Sequence, residues 1–67
     1  MIALYIADDD VFEIALRVFK YKKGKPVDDR FINRPKQMIL FADMDELLMG
    51  QSILKTYHID STVKENE

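Results

Sequence analysis

Sixty-seven residues make one small domain, and folding at that size buries only about 60% of the surface the unfolded chain exposes, so its stability is modest. The chain has no cysteine and a single histidine, which excludes disulfides, thiolate catalysis and Cys- or His-rich metal clusters. A net charge of −2 hides a segregation: residues 17–36 carry eight basic side chains against Asp28 and Asp29, while the rest sets Lys55 and Lys64 against ten acids. Such asymmetry points to charged partners.

Met1 is followed by IALYIA, an apolar run too short for a membrane span and lacking the basic and small-residue flanks of a signal peptide. A soluble cytoplasmic protein is the expectation. Residues 2–7, rich in β-formers and closed by Asp8, Asp9 and Asp10, predict a buried strand.

Residues 11–22, VFEIALRVFKYK, support two readings. In a helix, Asp10 is the N-cap with Glu13 three residues on, Glu13 pairs with Arg17, lysines crowd the last turn and Gly24 ends it. In a strand, Phe12, Ile14, Leu16 and Val18 share one face and the aspartates form a hairpin turn. The agreement of several end signals favours the helix.

Residues 23–36 hold both prolines and one of the two glycines, and read as a long irregular stretch. Residues 37–42 predict a second strand. From Asp43 the chain turns helical to about Tyr57, with Asp43 as N-cap and Glu46 at N3. Gly50 weakens that helix, as a glycine kept for a close contact would. Leu47, Ile53, Leu54 and Tyr57 occupy one broad side with Met49 at its border, leaving Met44 and Leu48 on the other. That spare pair is either a partner or dimer contact or ordinary surface scatter. Residues 59–63 suggest a short edge strand, and residues 64–67, KENE, a frayed tail outside a domain of residues 1–63.

The motifs LYIADDD and ILFADMD repeat one shape, an apolar run and then acids. Aspartate caps for two helices explain most of it. If the two strands were parallel neighbours, Asp8, Asp9 and Asp43 would instead meet at one sheet edge and suit a hard cation such as Mg²⁺. IADDD and ILFADMDELLMGQSILK resemble the acidic pair and the phospho-acceptor strand of two-component receiver domains. That resemblance implies metal-binding acids at Asp8 and Asp9 and an acceptor at Asp43. It covers about two fifths of the chain. Leu47 stands where receivers have proline, and the chain lacks the family's switch hydroxyl and lysine.

The basic stretch interleaves Phe19, Tyr21 and Phe31 with Lys20, Lys22, Lys23, Lys25, Arg30, Arg34 and Lys36, a pattern compatible with stacking bases and holding phosphates. A solvated lysine-rich loop with core aromatics explains it as well. No nucleophile elbow or phosphate-binding glycine loop is present.

The sequence therefore predicts a small single two-layer α+β domain, a sheet of two to four strands packed on a C-terminal helix and, on the favoured reading of residues 11–22, on a second. The expected function is a non-catalytic protein-binding module without cofactor. Its type would be a small adaptor or inhibitor of the kind bacteria and phages encode, using Met44 and Leu48 on another protein or a second copy. Nucleic-acid binding through residues 17–36 and a truncated receiver-like Mg²⁺ domain are the alternatives.

Overall fold

A computed structural model describes residues 1–66 and orders them as strand β1 (Ile2–Tyr5), helix α1 (Asp9–Lys23), a 3-10 turn (Asp29–Phe31), strands β2 (Ile32–Asn33) and β3 (Met38–Phe41), helix α2 (Met44–Thr56) and strand β4 (Thr62–Glu65). The four strands form one antiparallel sheet in the order β2-β3-β1-β4, packed with the two helices as a small α+β fold.

Residues 11–22 are helical, and the end signals explain why. Asp8, two residues before the predicted cap, holds an extended conformation and accepts from the amides of Asp10 (2.9 Å) and Val11 (3.0 Å). This leaves Asp9 and Asp10 in the first turn, where their charge complements the helix dipole. Gly24, at φ 78°, closes the other end and donates to Lys20 O. Glu13 does not pair with Arg17; it binds Arg34 in the turn between β2 and β3.

α2 starts as expected, with the Asp43 carboxylate accepting from the Glu46 amide at 2.9 Å. Its end is a Schellman turn: His58 adopts φ 59°, its amide donates to Lys55 O, and Ile59 N donates to Leu54 O. Leu54 and Ile59, the apolar pair that accompanies this turn, are both buried.

Alternation sorts the sheet residues onto two faces. Leu4, Ile6, Ile39 and Phe41 join Phe12, Ala15, Val18 and Phe19 of α1 and Leu47 and Leu54 of α2 in one core. Gly50 lies at its tightest point, where a Cβ would meet Phe41 Cζ at 2.9 Å. On the opposite face Ala3 and Met38 are buried as well. There the Lys64 ammonium rests 4.5 Å from the Tyr5 ring centroid, and the Asn33 amide donates to the Asn66 side chain at 3.0 Å.

Residues 64–66 are therefore not a frayed tail: Lys64 and Glu65 belong to β4, and Asn66 N donates to Met1 O at 2.9 Å. Glu67 lies outside the described residues. That last bond also sets the phase of the ladder. Thr62, Lys64 and Asn66 turn their N–H and C=O toward β1, so Val63 and Glu65 turn theirs toward the free edge. The two sheet edges differ. β2 is two residues long and flanked by the 3-10 turn, whereas β4 is four residues long, exposed throughout, and free of proline, glycine and bulge.

Candidate functional site

The acidic strand exits do not form a site. β1 and β3 are neighbours, but Ile2 faces Phe41 and Tyr5 faces Met38, so the strands run in opposite directions. Asp8 and Asp9 therefore leave one end of the sheet and Asp43 leaves the other. The alternative in which parallel strands bring Asp8, Asp9 and Asp43 to one sheet edge, on which the receiver-like Mg²⁺ site depended, is therefore overturned. Among the described residues, no group of three or more His, Asp or Glu side chains is placed to hold a metal ion. Asp8 and Asp43 are occupied as helix caps instead.

The basic stretch is dispersed by its own ion pairs. Arg30 is held by Asp28, whose carboxylate also accepts from the Arg30 amide at 2.9 Å and caps the 3-10 turn. The Arg30 side chain and amide hold the Asp28 carboxyl below its ordinary range, and the same contact raises the guanidinium. Arg34 is engaged by Glu13. Phe19 is core and Phe31 half-buried. Lys20, Tyr21, Lys22, Lys23, Lys25 and Lys36 are exposed, Tyr21 at 77%. Lys22 Nζ sits between two tyrosines, 6.0 Å from the Tyr21 centroid and 5.7 Å from that of Tyr57. Tyr57 was expected on the buried side of α2, but as the C-cap it stands part-exposed over α1.

An open groove of about 730 Å³ lies between the end of α1, the 3-10 turn and the start of α2. Its walls include Phe19, Phe31 and Phe41, and its rim mixes Lys23, Lys25 and Arg30 with Asp28, Asp29 and Glu46. The opposed charges neutralise each other and select no ligand charge.

α2 carries the clearest exposed apolar surface. Met44 and Leu48 are 46% and 50% exposed, as the helical spacing predicted, and Met49 at 67% stands apart on the other flank. Met44, Leu48, Gln51 and Lys55 follow each other at three- and four-residue intervals along one flank. That flank faces β4, because Gln51 Nε2 donates to Ser61 O at 3.2 Å just before the strand. Val63, 41% exposed and opposite Leu4, lies on the helix side of the sheet. Val63 was missed because its reading as an edge-strand residue gave no reason to join it to α2.

No described helix is long and apolar enough to cross a membrane. In comparisons with protein-family models, curated proteins and solved structures, nothing matched this chain.

Proposed function

We propose that the protein is a small non-catalytic protein-binding module, a cytoplasmic adaptor or inhibitor, that docks through the flank of α2 carrying Met44 and Leu48. The observation that supports this is the exposed apolar pair Met44 and Leu48 on α2, on the flank whose Gln51 bonds Ser61, with Val63 also exposed on the edge strand β4. Apolar side chains gathered beside free backbone donors and acceptors suit strand addition, in which main-chain bonds supply affinity and flanking side chains supply selectivity.

A tagged pull-down from native lysate, divided into nuclease-treated and untreated halves, tests the reading together with a sedimentation measurement. Retention of a discrete protein after nuclease, or self-association, is expected, and Leu48→Asp should abolish it without loss of helicity. A protein that neither self-associates nor retains any partner would sink the reading.

The Tyr21–Lys22–Tyr57 cluster supports a second reading, single-stranded nucleic acid bound by stacking, with Lys20, Lys23, Lys25 and Lys36 nearby for phosphates. Affinity for an oligonucleotide would then fall steeply with added salt. Tyr21→Ala that left such binding unchanged would remove it.

A further inference from the structure

Resting on the protein-binding reading, we infer that the partner is a second copy of this chain, joined through β4 so that the two sheets become one. Among the described residues, one edge suits this. β2 is too short to template a strand, whereas β4 turns the N–H and C=O of Val63 and Glu65 outward, with no partner among the described residues.

Symmetry narrows the pairing. Two antiparallel edges are related by a two-fold axis perpendicular to the sheet, which keeps both helical layers on the same side. Directly opposed residues must then share a face, so the axis passes beside Thr62, Val63, Lys64 or Glu65. An axis at Lys64 or Glu65 sets two like charges against each other, and like charges directly opposite destabilise a ladder. An axis at Thr62 carries Glu65 onto Ile59, which is buried in the core. An axis at Val63 has neither fault. It pairs Val63 with Val63 of the second copy as a hydrogen-bonded pair, and sets Lys64 against Thr62.

Polar contacts suit that register. Glu65 of one copy arrives opposite Ser61 of the other, and Ser61 shares a recess with Gln51, Lys55 and Asp60. The Glu65 carboxylate would meet the Lys55 ammonium there, beside Asp60, twice by symmetry. Ser61 Oγ, a buried side-chain atom without a hydrogen-bond partner among the described residues, lies in the same recess. The apolar surface is accounted for as well. With strands about 4.8 Å apart, the two β1 strands stand about 14 Å from each other across the paired edges. Helices packed over them are too far apart for direct contact, which needs about 8–10 Å. Leu48 and Met44, on the flank of α2 whose Gln51 bonds Ser61, are the exposed apolar side chains that would enter that space above the two Val63 side chains.

The test is analytical ultracentrifugation of the full chain over a concentration series, alongside amide exchange by NMR. A monomer–dimer equilibrium is expected, with the Val63 and Glu65 amides becoming protected as concentration rises while those of Thr62 and Lys64 are protected at every concentration. Val63→Pro removes a donor that the monomer's ladder does not use, and should weaken the dimer at least about tenfold. Leu48→Asp, on an exposed helical position, should do the same with the circular dichroism unchanged. A strictly monomeric wild type overturns the inference, and so does a dimer indifferent to both substitutions. A monomer that still captures a different protein overturns it while leaving the protein-binding reading in place.

Discussion

Gly50→Ala sets two effects of opposite sign against each other. Gly50 lies inside α2, where alanine is favoured over glycine by about 1 kcal/mol on an open helix surface. The added Cβ, however, would lie 2.9 Å from Phe41 Cζ, 3.0 Å from its Cε1 and 3.4 Å from Phe19 Cζ. Retreat of the Phe41 ring toward the groove it lines would cost its packing on Phe19. The ring is buried and stands edge-on to Phe19, with centroids 6.3 Å apart and planes at 73°. Overfilling a packed core in this way costs about 1–3 kcal/mol. The clash therefore wins, by about 1 kcal/mol net, which in a domain this small lowers Tm by about 4–8 °C. Urea unfolding followed by far-UV circular dichroism measures it, with the m-value unchanged. The same substitution in a Phe41→Leu background, where the ring edge is gone, should be neutral or stabilising, so the pair gives a coupling energy of favourable sign. A Gly50→Ala protein more stable than its parent would refute the close approach.

Three further outcomes are expected. Asp8→Ala should lose about 1 kcal/mol in thermal unfolding because it frees two amides, whereas Asp10→Ala should change little; equal losses would contradict the placement of the cap. His58→Gly should add about 0.5–1 kcal/mol, since glycine adopts the left-handed conformation of the Schellman turn without steric cost, and a loss of stability would mean that the imidazole does more than turn the chain. Asp28 should titrate below its ordinary value of 3.8, so its contact with Arg30 stabilises the fold at pH above that value and is lost as pH falls through the lowered folded one. NMR titration of the Asp28 carboxyl should show it returning toward the ordinary value in Arg30→Gln, and an unmoved midpoint would show that Arg30 is not the cause.

The elements whose ends are chemically marked were legible in the sequence. Asp43 and Glu46 announced α2, and the apolar runs announced β1 and β3 within a residue or two. The start of α1 was misplaced because three consecutive aspartates all qualify as caps, and only the geometry shows that Asp8 faces the free amides. Strand direction was not legible at all, since a strand followed by a capped helix looks the same whether its neighbour is parallel or antiparallel. On that one bit depended whether Asp8, Asp9 and Asp43 meet. The basic stretch misled for a related reason: Glu13 and Arg34 stand far apart in sequence and are joined only by the fold. Lys64 and Glu65 resembled a tail because an edge strand needs few apolar residues. Gly50 was legible as a contact, but not its neighbours Phe41 and Phe19.

The place of β1 at the centre of the sheet governs how the chain reaches this state. Both helices and the hairpin of β2 and β3 join residues near in sequence, but Ile2 pairs with Phe41 on one side and with Glu65 on the other. Neither pairing can form before a long loop closes, and closure costs entropy that local contacts do not offset. Helical segments should flicker within microseconds, while productive folding waits on β1 and proceeds in milliseconds or slower. The two sides of β1 are not equally protected: the Ala3 and Tyr5 amides bond to the exposed edge strand β4 and are released when β4 detaches, whereas the Leu4 amide faces β3. Exchange at Leu4 therefore reports opening of the core, and exchange at Ala3 and Tyr5 reports the edge alone.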